Sequence, residues 1–101
     1  MTNQTNSIYR YYIGENNQTH KRDIKKAIKV FKDFKIIGFT ILKNLNGLWE
    51  NNKEKSFIIE VINTLENPFN DNIAFKIKQQ LEENLKQYLV LLTKQQIEVL
   101  N

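Results

Sequence analysis

The chain has 101 residues, 41% hydrophobic and 26% charged, with a formal net charge of +4; this fits one domain with a modest core and excludes a disordered or fibrous chain. It has no cysteine and one histidine, His20, which removes disulfides, thiolate chemistry, cysteine-held zinc and any multi-histidine metal site within one chain. No apolar run reaches the roughly 18 residues of a membrane span, and residues 1–7 lack the apolar core of a signal peptide, so a cytoplasmic protein with no membrane partner, no metal and no cofactor is expected.

Residues 1–7 are expected to be a disordered tail and residues 8–101 a single domain. Residues 8–14 (Ile-Tyr-Arg-Tyr-Tyr-Ile-Gly) are dense in aromatic and β-branched side chains and predict a first strand that turns at Gly14. After a polar loop, Thr19 is the predicted cap of a first helix. Its apolar stripe is Ile24, Ala27, Ile28, Phe31 and Phe34, spaced by three and four. Residues 39–49 predict a second strand and residues 56–63 a third. Asn46-Gly47 suits a two-residue hairpin turn, but a turn at residues 50–53 keeps Leu48 and Trp49 in the sheet and is preferred, with Asn46-Gly47 as a bulge. Asn70 or Asp71 caps a second helix whose stripe is Ala74, Ile77, Leu81, Leu85 and Tyr88. Residues 88–93 predict a fourth strand, with residues 96–100 extending it after a kink.

The order is β-α-β-β-α-β. Right-handed crossovers put both helices on one face of a four-stranded antiparallel sheet of order 4-1-3-2, the α+β, ferredoxin-like arrangement. Alternation then assigns each strand residue a side. The more apolar sets, Tyr9, Tyr11 and Ile13 with Phe57, Ile59 and Val61, belong beneath the helices. The open face carries Ile8, Arg10, Tyr12, Ile58, Glu60 and Ile62. That row is too apolar for a solvated face, so a cover is expected there, foremost a second copy of the chain.

Four groups of residues offer chemistry. Arg10, Tyr12 and Glu60 share the open face on neighbouring strands, as a structural ion pair or as a small polar site with Arg10 for an anion and Glu60 as acceptor or base. Gly14, Glu15, Asn16, Asn17 and Thr19 form the loop before the first helix, where backbone amides can meet an anion, although phosphate-loop spacing is missing. Trp49, the sole tryptophan, suits core, interface or ligand contact. Residues 20–35 hold seven Lys or Arg and two Asp, a net +5; the rest holds eight basic and nine acidic residues, a net −1. Arg22, Lys25, Lys26, Lys29 and Lys32 oppose the apolar stripe and make a cationic face for phosphate or an acidic partner, or an ordinary solvated surface.

Several families share fragments of this pattern. Tyr12-Ile13-Gly14 matches the second half of the GIY-YIG nuclease motif, whose first half is missing upstream. Residues 8–16 and 55–59 are similar to the first- and third-strand motifs of RNA-recognition domains. Stacking needs aromatics on the open face of both central strands, and there only Tyr12 qualifies, with Ile58 and Glu60 at the other positions. Across most of its length the chain resembles short bacterial and phage proteins of unknown function. The shared features are the Tyr-rich first strand ending in Gly14, Gly38-Phe39-Thr40, Gly47 with Trp49, and the Val-Leu final strand. That resemblance implies a ferredoxin-like fold and supplies no catalytic residues.

The reading that follows is a non-catalytic binding module, homodimeric through the open sheet face, for a small anionic, nucleotide-like ligand or an acidic protein. Thirteen of the fifteen basic residues are Lys, a coding bias compatible with a low-GC bacterium or its phage and so with a phage protein acting on a host defence system. The alternatives are an RNA- or single-stranded-DNA-binding protein using the basic first helix, and a small enzyme using Glu60 and Arg10.

Overall fold

The computed structural model of the chain describes residues 4–49, 52–87 and 89–100, with side chains for all of these except Gln4, Thr5, Trp49 and Asn52. Its elements are β1 (Gln4–Gly14), α1 (Ile24–Asp33), β2 (Thr40–Trp49), β3 (Asn52–Ile62), α2 (Asp71–Asn84) and β4 (Leu91–Val99). The strands form one antiparallel sheet in the order β2-β3-β1-β4, the predicted 4-1-3-2 named from the other edge. The fold is ferredoxin-like, as the sequence predicts.

Alternation assigns the faces of the two central strands correctly. Tyr9, Tyr11, Ile13, Phe57, Ile59 and Val61 are all buried in one core with Ala27, Val30 and Phe31 of α1 and Ala74, Ile77 and Leu81 of α2. Both helices therefore cover the same side of the sheet. Phe31 seals the centre: its ring meets Tyr11 edge-on, with centroids 5.2 Å apart, and lies the same distance from Phe39. The Tyr11 hydroxyl, buried, donates to the Ala74 carbonyl at 2.9 Å, which satisfies the one polar atom of that ring.

α2 starts where predicted. The Asn70 side chain accepts from the Ile73 amide at 2.9 Å, and Asp71 places a negative charge in the first turn, where the helix dipole favours it. Ala74, Ile77, Leu81 and Leu85 of the predicted stripe are buried; Tyr88 lies outside the described residues.

Other boundaries move. β1 begins at Gln4, so residues 4–7 are strand rather than tail, because β4 runs unbroken to Val99 and pairs with them from Gln4↔Val99 to Ser7↔Gln96. The expected kink before residue 96 is absent, and β4 starts at Leu91 rather than residue 88. The first helix has Asp23, not Thr19, at its N-cap position, and the Asp23 side chain makes no capping hydrogen bond but accepts from Asn16. Asn16 takes the amides of Gln18 and Thr19 onto its side-chain oxygen, and this turn delays the helix. Trp49 pairs with Asn52, so the β2–β3 connection falls in the preferred place, although residues 50 and 51 themselves lie outside the described set. The bulge is not at Asn46-Gly47, which pair regularly with Lys55 and Glu54. It lies between Leu42 and Leu45, where Asn44 adopts φ 57°, a left-handed conformation that Asn tolerates.

Candidate functional site

The open side of the sheet is where β1 and β3 place their polar pair. Their register sets Ile8 opposite Ile62, Arg10 opposite Glu60 and Tyr12 opposite Ile58. β4 adds Thr93 beside Arg10 and Gln95 beside Ile8, and β2 adds Leu42 beside Ile58 and Thr40 beside Glu60. Arg10 Nε donates to Glu60 Oε2 at 2.7 Å, and Arg10 Nη1 donates to the Gln95 side-chain oxygen at 3.0 Å. The two charged side chains are 30% and 21% exposed, so they are partly desolvated but not buried. Around them Tyr12 is 38% exposed, Ile62 39%, Leu42 41% and Leu91 53%. The open face is therefore a half-exposed apolar field with one ion pair at its centre, whose two charges neutralise each other.

The predicted β1–α1 loop residues lie elsewhere, at the end of the sheet where β2 and β3 project past Gly14. Asn16 is only 4% exposed. Its amide nitrogen donates to Asp23 Oδ2 at 2.8 Å and, at 3.4 Å, to the Leu85 carbonyl at the end of α2. Asn17 donates to the Lys86 carbonyl at 3.0 Å. These two side chains tie the β1–α1 loop to the α2–β4 loop. Glu15 accepts from the Lys55 amide and then from His20, and both bonds hold its carboxyl below the ordinary carboxylate range. Arg22, grouped by sequence with the basic face, instead turns inward. Its guanidinium donates to the Ser56 carbonyl at 2.9 Å and the Leu45 carbonyl at 2.7 Å, fastening both strands of the β2–β3 hairpin to the start of α1. The remaining basic-face residues, Lys25, Lys26, Lys29 and Lys32, are exposed on α1. The Trp49 side chain lies outside those described.

The predicted site residues thus fall in separate places. Arg10, Tyr12 and Glu60 are together on the open face. Asn16 and Asn17 form a structural clamp near the hairpin base, and the lysines line the helix layer. Gln95 is the open-face residue that sequence reasoning missed; only the β4 register brings it to Arg10, and the expected kink hid that register. A third polar cluster also went unread. Tyr9 donates to Asp71 Oδ1 at 2.7 Å, and Lys94 Nζ reaches the same oxygen at 2.9 Å. Burial, followed by the Asp71 contact, raises the Tyr9 phenol, and the Lys94 hydrogen bond is the main cause of the lowered Asp71 carboxyl.

Neither a protein-family model nor a curated protein matches the chain. Solved structures match it over nearly its whole length. CPII, a nitrogen regulatory PII-like protein from Thiomonas intermedia K12 bound to ADP, AMP and bicarbonate, superposes with a TM-score of 0.64 at 12% identity, covering 99% of this chain and 98% of that one. The apo form of CPII gives 0.61 at 12% identity, covering 97% and 95%. CPII bound to ADP, AMP and acetate gives 0.61 at 13%, covering 100% and 94%. At such identities the likeness is one of fold.

Proposed function

We propose that the chain is a non-catalytic binding module that pairs with a second copy through the open sheet face and takes a small anionic, nucleotide-like ligand. The observation that carries the first part is the row Arg10, Tyr12, Ile58, Glu60 and Ile62, which faces away from both helices with its only charges already matched; Ile8 of the same row is already buried within the chain. A second copy suits such a face better than an unrelated partner. Arg10 and Glu60 sit side by side, so a two-fold axis near them sets each Arg10 against the other copy's Glu60, a self-complementary arrangement. Tyr12 supplies the aromatic anchor common at interface cores.

The ligand class is supported by CPII, whose structures hold ADP, AMP, bicarbonate or acetate, all anions, on the same fold. It is supported also by the excess of cations on the helix layer of this chain. Calorimetry with ADP, AMP and bicarbonate tests it. Saturable binding of at least one of them without its chemical conversion is the expected result. No heat from any of them at low salt, or turnover of the nucleotide, overturns the ligand assignment. For assembly, light scattering after size exclusion is expected to give about twice the 12.0 kDa chain mass, and a strict monomer refutes it.

A further inference from the structure

The cations of the helix layer are not scattered evenly. Lys26 and Lys29 of α1 face Glu83, Asn84 and Lys86 at the end of α2 across a shallow, solvent-open groove of about 420 Å³. Among the described residues Lys26 and Lys86 make no ion pair, while Lys29 is held at 2.9 Å by Asp33. Among the described lining residues Glu83 is the one carboxylate, and with Lys29 paired to Asp33 the two remaining ammonium groups, Lys26 and Lys86, exceed it by one charge. Asn84 accepts from Gln80 on its side-chain oxygen at 2.8 Å, which leaves its amide nitrogen as a further donor.

The position of Lys86 is built rather than incidental. It directly follows the cap residue Leu85 and adopts φ 54°, a left-handed conformation that usually falls to Gly or Asn at a helix end. Two bonds hold it there. Asn17 donates to its carbonyl, and the next amide, Gln87, donates to the Glu82 carbonyl at 3.1 Å. The Asn16–Asn17 clamp therefore fixes the helix end that turns Lys86 toward α1.

We infer that this inter-helix groove is a binding site for a small oligophosphate anion, whether a free pyrophosphate or the phosphate chain of a nucleotide. Lysine ammonium groups are compact point charges that accept phosphate oxygens from many directions, unlike the planar fork of Arg. Cations spread across a groove favour an anion with two or more phosphates over a single carboxylate, because each charge adds its own attraction. This site rests on the anionic-ligand part of the proposed function and is independent of self-association, since it lies on the opposite layer from the open sheet face.

The test is titration of the full chain at low salt with pyrophosphate, ADP, adenosine and a single-stranded RNA, each followed by amide chemical shifts. The variants are Lys26→Gln/Lys86→Gln and, as control, Lys35→Gln. Lys35 is the equivalent left-handed residue after α1, φ 60°, and is outside the groove. Pyrophosphate and ADP are expected to bind and adenosine not, with shifts centred on Lys26, Asn84 and Lys86. The double variant is expected to weaken both ligands at least about tenfold and the control to leave them unchanged. ADP binding with shifts elsewhere overturns the groove and leaves the anion-binding function standing. Equal losses in the variant and its control, or adenosine binding as well as ADP, also overturn the groove. Binding of single-stranded RNA more tightly than pyrophosphate, spread over all of α1, would replace the small-molecule site with a polyanion surface.

Discussion

Replacing Glu60 by Gln separates the two environments proposed for the open face. In an isolated chain the Arg10–Glu60 pair is wet, with side chains 30% and 21% exposed. Ion pairs of that kind contribute about 0–1 kcal/mol, so Glu60→Gln should lower the unfolding free energy of the monomer by less than about 1 kcal/mol. In the proposed two-copy assembly the same pair would be covered on both copies. Removing Glu60 would then strand a guanidinium on each copy in a dry contact, and even one such uncompensated charge typically costs about 3–5 kcal/mol. At 1.4 kcal/mol per tenfold, association should weaken by about a hundredfold or more. Arg10→Met/Glu60→Leu removes both charges and keeps apolar bulk, and should restore association to near or above the original level. Sedimentation equilibrium over a dilution series measures the association constant, and urea unfolding at low concentration measures the monomer. The reasoning fails if Glu60→Gln leaves the association constant unchanged, or if the double variant weakens it as much as the single one.

Phe31→Ala should cost about 3–5 kcal/mol, because a fully buried ring that contacts Tyr11 and Phe39 leaves a cavity. Against a total of about 5–15 kcal/mol, the urea midpoint should fall steeply. Asn70→Ala should cost about 1 kcal/mol and Asn70→Asp little, measured the same way, since only the first loses the acceptor for the Ile73 amide. Arg22→Gln should speed hydrogen exchange of the amides of Leu45 through Gly47 and of Glu54 through Ser56 while leaving β1 protected, because both carbonyls it holds lie at the hairpin base. The Asp71 carboxyl is held below the ordinary carboxylate range, first by the Lys94 hydrogen bond and then by that of Tyr9. Its contribution to stability is therefore present above the ordinary value and lost as pH falls through the lower folded value. Asp71→Asn should flatten that acid limb of the urea midpoint plotted against pH.

Period-two alternation made the sheet faces legible, because both central strands carry two distinct sets and the helices can bury only one. The same signal exposed the oddity of Arg10 and Glu60 in an apolar row. The α2 stripe is legible from its three-and-four spacing, whereas on α1 the predicted Ile28 stays outside the core and Val30 takes the buried place. What stayed hidden depended on contacts distant in sequence. Residues 4–7 look like a polar tail until the far end of β4 pairs with them, and Gln95 has no local mark of its place beside Arg10. The sequence marks Asn16 and Asn17 as candidate ligand donors because the amide of a loop Asn can serve a ligand or the backbone alike. Only the position of the α2 end, 69 residues away, assigns them the clamp. Arg22 was read with the lysines by wheel position, yet it precedes the helix, so the wheel did not apply to it.

The proposed second copy over the open face is tested directly by isotope-filtered nuclear Overhauser spectroscopy on a mixed sample of labelled and unlabelled chains. Contacts between copies are expected from the Ile58 and Ile62 methyls to Tyr12 or to one another across the boundary. An absence of any such cross-peak at concentrations where the filtered experiment reports other contacts, together with a rotational correlation time of a single chain, would contradict the account.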